Sequence, residues 1–202
     1  MDIKTYTRRA AMMVDLVPCE YIENTSLAYI DTNIANGAVS WSIDAVISIS
    51  EAKTGYIIGS RSTASRYYQT IYVNSAMNFV TKMHNTTETY SDYTAEIGKK
   101  YHLVGTPKSL TVTDEDGQSF TITNSGGFVS NGHNLTLFNL ESYVNVGNAF
   151  HGRIHSFKLL RNNVLVRDYS PMFKKSTGEY GLNDNLNGVF YGSANNNKFT
   201  GK

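Results

Sequence analysis

From Trp41 to Ser50 the chain reads WSIDAVISIS, and this alternation constrains the fold more than any other feature. Trp41, Ile43, Ala45, Ile47 and Ile49 share one face of an extended strand, and Ser42, Asp44, Ser48 and Ser50 share the other with Val46. A period of two is the mark of a strand with one side on a core and one side wet. The segment SLTVTDEDGQSFTIT repeats it, setting Leu110 and Val112 against Phe120 and Ile122 with Asp116-Gly117 between them, a hairpin signal. Further strands are predicted over Tyr56 to Gly59, Tyr68 to Val73, Asn78 to Lys82, Tyr101 to Gly105, Leu135 to Asn139 and Arg153 to Leu160. Asn162-Asn163 then supplies a tight turn into Val164 to Tyr169, because asparagine tolerates positive φ. Strands joined by turns, with no helices between them, predict an all-β antiparallel sandwich or barrel and exclude a parallel α/β fold.

One domain accounts for the 202 residues. Only the amino-terminal segment departs from the pattern. Lys4 to Asp15 carries helix formers and Pro18 ends them, so residues 1–16 read as an arm and 17–202 as the domain. The apolar stretch Ala10 to Val14 after Arg8-Arg9 is shorter than the usual ~7–15 residues of a secretion signal, so no classical signal is expected. No apolar run approaches the roughly 20 residues that span a bilayer, and membrane insertion is not expected.

Charge is scarce. The formal net charge is +1 with 17% charged residues and no long run of Lys or Arg, so the electrostatic footprint of a nucleic-acid partner is missing. Cys19 is the only cysteine, which excludes an internal disulfide and a thiolate metal cluster within one chain. The polar surface comes instead from Asn, Ser, Thr, Gly and 14 Tyr, a composition suited to hydrogen bonding and ring stacking.

The stretch from Val17 to Ile34, VPCEYIENTSLAYIDTNI, resembles the opening strands of laminin-G-like jelly-roll domains of the concanavalin A-like lectin/glucanase superfamily. GRIHSFKLLRNNVLVRDYSPMFKKSTGEYGLNDNLNGVFYGSANNNKFTG, from Gly152 to Gly201, resembles the closing block of the same family. The resemblance covers about residues 17–202, strongly at both ends and loosely between about 60 and 140. It implies a jelly-roll β-sandwich, with first and last strands side by side to cover each other's open edges. Arg167-Asp168 is expected to pair locally or cap a neighbouring loop, and Gly181, Gly188 and Gly192 to permit turns. Such domains occur in phage virion proteins and in proteins of gut bacteria, often as appendages. The resemblance therefore implies a non-enzymatic bacteriophage component decorating capsid or tail, touching other virion proteins through the arm, with host glycans and further copies of itself as other partners. The alternative it implies is a lectin-like module of a bacterial surface or secreted protein.

Catalysis finds little support in the residues. Glycoside hydrolysis needs two carboxylates about 5–9 Å apart. The chain has no alternating acidic strand, and its densest acidic run, Asp114-Glu115-Asp116, falls in the hairpin tip. His84, His102, His133, His151 and His155 form no metalloprotease or nucleophile-elbow motif, although His151 and His155 could share a strand face. Asn183, Asn185, Asn187 and Gly188 mimic half of a calcium loop, but Ala194 stands where the bidentate glutamate belongs. Asp31, Asp184 and the Asp114–Asp116 turn remain a calcium set that only tertiary structure could assemble. No cofactor, metal or catalytic residue is expected. For glycans, an aromatic face with neighbouring amides and carboxylates is required. The candidates are Tyr67, Tyr68, Tyr72, Asn85, Tyr90, Asp92 and Tyr93.

Overall fold

The computed structural model describes residues 15–62, 68–84, 88–140 and 148–202. The helical arm expected over Lys4 to Asp15 lies almost wholly outside these, and so do Tyr67 and Asn85. The strands run, in chain order, β1 (Leu16–Pro18), β2 (Ile22–Asn24), β3 (Ile30–Ala35), β4 (Trp41–Ile49), β5 (Gly55–Arg61), β6 (Tyr68–Val73), β7 (Asn78–His84), β8 (Thr89–Thr94) and β9 (Lys100–Thr106). There follow β10 (Ser109–Asp114), β11 (Ser119–Thr123), β12 (Asn134–Leu137), β13 (Gly152–Arg161), β14 (Val164–Lys174), β15 (Glu179–Asp184), β16 (Val189–Tyr191) and β17 (Thr200–Gly201).

Two antiparallel sheets form a sandwich, one of the two folds the alternation predicts, with the jelly-roll architecture that the resemblance implies. The larger runs β11-β10-β9-β4-β13-β14-β15-β16, with β1 on β14, β2 on β13 and β17 on β2; the smaller runs β3-β12-β5-β6-β7-β8. The two chain ends meet: Thr200 pairs with Glu23 and Gly201 with Ile22. Pairing on the amino-terminal side starts at Leu16, opposite Lys174, one residue inside the segment expected to be arm. The hairpin register is the expected one, Leu110 opposite Ile122 and Val112 opposite Phe120. Asn162 and Asn163 take φ of 49° and 62° in the β13–β14 turn.

The core lies between the sheets. Trp41, Ile43, Ala45, Ile47 and Ile49 of β4 are buried against Phe79, Ile71 and Val73 of the opposite sheet and against Phe157 and Leu159 of β13. A polar relay crosses it: Trp41 Nε1 donates to Gln69 Oε1 at 2.9 Å, and Gln69 Nε2 donates to the Val129 carbonyl. Buried Asn24 ties the opening strand down, donating to the carbonyls of Ala28 (3.0 Å) and Phe150 (3.3 Å) while its Oδ1 accepts from the Ser26 amide. Every partner is satisfied by a neighbour, as a buried amide requires.

Candidate functional site

The candidate tyrosines sit on β6 and β8, and strand alternation divides them. Tyr56 is opposite Tyr72, Tyr72 opposite Val80, and Val80 opposite Tyr90, so these four form one row across β5-β6-β7-β8. Directly opposed residues share a face, and because Ile71, Val73 and Phe79 point into the core, this row is on the outer side of the smaller sheet. Tyr68, an even step from Tyr72, lies on the same side. Tyr93 does not. It stands an odd three residues from Tyr90, and its ring stacks on Phe120 at 4.9 Å between the sheets, with its hydroxyl donating to Asp114 Oδ2 at 3.0 Å. Tyr93 is therefore part of the packing and is not brought together with the outer tyrosines. Asp92 is exposed and makes no hydrogen bond or ion pair among the described residues.

The centre of the outer row is Glu88, which the sequence reading did not single out. Tyr90 donates its hydroxyl to Glu88 Oε2 at 2.6 Å and Lys82 Nζ donates to Oε1 at 3.0 Å. The Tyr72 hydroxyl lies near the same carboxylate. Burial opposes ionisation of Glu88, but the hydrogen bonds from Tyr90 and Lys82, with the Tyr72 hydroxyl nearby, outweigh it and hold the carboxyl below the usual glutamate range. Burial first, then the neighbouring Glu88 carboxylate, pushes the Tyr72 phenol up, and the Tyr90 phenol is raised chiefly by its bond to Glu88. Burial pushes Tyr56, packed 5.2 Å from the Tyr72 ring, up to about 12. All three phenols stay protonated donors at neutral pH.

Rings are unequally available. Tyr90 is 50% exposed and offers a free face, whereas Tyr72 is 6% exposed and contributes only its hydroxyl. The half-buried Tyr68 ring carries Lys82 Nζ at 4.3 Å and the Arg61 guanidinium at 4.7 Å from its centroid, so cations already occupy its surface. Glu88 and Lys82 were missed because a two-residue period is read from apolar residues. The signal was present in the even spacing of Glu88, one residue before β8, and Tyr90, which puts both on one side of the extended chain.

The other acidic and histidine clusters are structural. Asp114 is buried; its Oδ1 accepts the amides of Asp116 and Gln118, and Lys99 Nζ lies 2.9 Å from its Oδ2 and 2.7 Å from Asp116. The Lys99 bond, opposed by burial and helped by the Gln118 amide and the Tyr93 hydroxyl, lowers Asp114 to about 2 from an ordinary 3.8. A depressed carboxylate stabilises the fold above its unfolded value and ceases to do so as pH falls through the folded value. The contribution of this turn is expected to be intact above pH 3.8 and lost as pH approaches 2. Urea melts along that pH range, with Lys99→Met as the comparison, should show the acid-labile component shrink in the variant.

Asp31 is bound by Asn134 Nδ2 and Asp184 faces Arg167, so the three acidic places expected as a calcium set each keep a separate partner. Among the described residues no group of three or more His, Cys, Asp or Glu is placed to hold a metal. His151 Nδ1 meets Glu51 at 2.5 Å and His155 Nε2 meets the Ser48 hydroxyl at 3.2 Å, so the two histidines serve different neighbours. In the half-calcium-loop segment, Asn185 Nδ2 donates to Ser170 Oγ and Asn187 Oδ1 accepts the Val189 amide, both turn contacts.

No protein-family model matches the sequence, and no curated protein is similar to it. Among solved structures the chain is similar to the native heptameric SAP-like pentraxin from Limulus polyphemus, with 15% identity, a TM-score of 0.48, and coverage of 73% of this chain and 78% of that one.

Proposed function

We propose that this protein is a non-enzymatic glycan-binding module that recognises sugars on the outer face of its smaller sheet. The observation that carries the reading is Tyr90, a half-exposed ring fixed at its hydroxyl to an ionised carboxylate. A ring locked in place stacks on the C–H face of a sugar at little entropic cost. Beside it, Glu88 accepts two hydrogen bonds, from Tyr90 and Lys82, of the roughly four a carboxylate can take, and Lys82 keeps donors to spare, so the row can both accept from and donate to sugar hydroxyls. The same carboxylate is poorly suited to act as the general acid of glycoside cleavage, which must be held protonated: the bonds from Tyr90 and Lys82 favour the ionised form of Glu88.

The sequence resemblance at both chain ends supports placing the module on a bacteriophage particle, attached through residues 1–16 and acting at the host surface, either singly or as a homo-oligomer. The test is a glycan array followed by titration of the best ligand. Tyr90→Ala is expected to weaken binding at least ~10-fold, equivalent to about 1.4 kcal/mol, and Tyr93→Phe to leave it unchanged. Binding that survives Tyr90→Ala, or hydrolysis of the ligand, would overturn the reading. Deleting residues 1–16 should release the chain from purified particles while leaving glycan affinity intact; absence of the chain from particles would remove the virion placement alone.

A further inference from the structure

A polar cleft opens between the β14–β15 turn and the segment 193–199. Its volume is ≈ 200 Å³, against the 10–15 Å³ that admits a single water. One wall comes from the β14–β15 turn and the start of β15, the other from the segment that leads into β17, and each is rigidly built. On one wall, Gly178 turns the chain at φ +67° and leads into Tyr180, whose ring packs 4.9 Å from Phe173. The Tyr180 ring also lies so close to Gly201 that a Cβ there would come within 2.4 Å of it, which pins it against the closing strand.

The other wall is held by Asn195. Its Nδ2 donates to the Leu27 carbonyl at 2.8 Å, its Oδ1 accepts the Asn197 amide at 3.0 Å and the Ser193 hydroxyl at 2.8 Å, and the Ala194 amide donates to the Tyr29 carbonyl. Beneath, Phe199 is buried 4.9 Å from Phe138. Glu179, Asn196 and Lys198 line the space between these walls, and their side chains are unspent: none makes a hydrogen bond or ion pair among the described residues. An acceptor, a cation and an amide that is both donor and acceptor thus converge on one cleft beside an immobilised ring.

We propose that this cleft is a binding site for an uncharged saccharide residue. Vicinal hydroxyls each donate and accept, so they match a carboxylate and an ammonium at once; a ligand of single charge would satisfy one and repel the other. The Tyr180 ring supplies the apolar wall for the sugar's C–H surface. This inference does not rest on the Tyr90 site, which lies on the other sheet.

The experiment is amide NMR titration of the full chain with the methyl glycosides of glucose, galactose, mannose and N-acetylglucosamine, up to tens of millimolar, the affinity range of single small sites. At least one sugar should shift the amides of residues 178–180 and 193–199, and Glu179→Ala or Lys198→Ala should weaken that response at least ~10-fold. Both positions are exposed, so the dispersed spectrum verifies that each variant is folded. Tyr90→Ala should leave these shifts unchanged. Shifts confined to the outer tyrosine row would overturn this inference while sustaining the proposed function. Shifts at the cleft that persist in both Glu179→Ala and Lys198→Ala, or no shift at the cleft with any sugar, would also overturn it.

Discussion

Arg167→Ala is expected to lower the unfolding free energy by about 3–5 kcal/mol, the usual cost of stripping a buried charge of its partner. Arg167 leaves the β14 backbone and reaches across to β3, where its Nε (3.1 Å) and Nη2 (2.9 Å) both donate to the Thr32 carbonyl. Its guanidinium also lies 3.6 Å from Asp184 Oδ2, and the Asp184 side chain has no solvent exposure. That oxygen has no hydrogen bond of its own, while Oδ1 accepts the amides of Asp168 (3.1 Å) and Leu186 (3.2 Å). Removing the guanidinium therefore leaves a carboxylate that can neither reach water nor find another cation, together with an orphaned carbonyl. Arg167→Lys should recover only part of the loss, because one ammonium lacks the planar fork that puts two donors on Thr32. Urea unfolding of the three proteins measures both differences. A loss below ~1 kcal/mol for the alanine variant would place the pair with exposed salt bridges and contradict this account.

Gly181→Val should cost about 3 kcal/mol, the upper part of the range for overpacking. Gly181 lies within β15, opposite Met172, and its backbone φ is ordinary. What demands glycine is proximity: a Cβ there would come 2.4 Å from the Tyr191 carbonyl oxygen and 2.6 Å from the Phe190 ring. A backbone oxygen cannot rotate aside, so β16 must shift, and with it Tyr191, which packs edge-on against buried Tyr169 at 5.4 Å. Thermal unfolding should fall accordingly, and hydrogen exchange should accelerate first in residues 189–191. A variant with unchanged melting would show that β16 yields without cost.

Gly188 and Gly192 complete the contrast. All three glycines read as turn formers in the sequence, and Gly188 is one, with φ +70° at the β15–β16 turn. Gly181 is in mid-strand, and at Gly192 an added Cβ would meet only ordinary contacts at 3.7 Å or more. Glycine announces that a side chain is unwelcome or unnecessary, and only the neighbouring strand tells which. Likewise, Arg167-Asp168 is expected to pair locally or cap a neighbouring loop; Arg167 does bond the adjacent Val166 carbonyl, and the Asp168 carbonyl accepts the Asn185 amide of the β15–β16 turn, but the further partners of Arg167, Thr32 and Asp184, are 135 and 17 residues away in the chain.

Strands β4 to β7 and β9 to β14, the β10–β11 register, the Asn162-Asn163 turn and the buried face of β4 were legible in the sequence because each depends on residues a few positions apart, whereas β1, β8 and β17 carried no such pattern. Alternation records which side of a strand meets the core, and turn residues record where φ must be positive. Tyr90 and Tyr93 show how far that reaches: their odd spacing already separates them onto opposite faces. It does not reveal that Tyr93 closes over Asp114 or that Tyr90 meets Glu88 and Lys82. Side-chain partnership depends on which strands become neighbours and in what register, and jelly-roll connections bring together segments far apart in sequence. For that reason local pattern determined an antiparallel sandwich or barrel, whereas the choice between them, the Glu88 row, the Arg167 clamp and the cleft between Tyr180 and Asn196 were decided only by the tertiary structure.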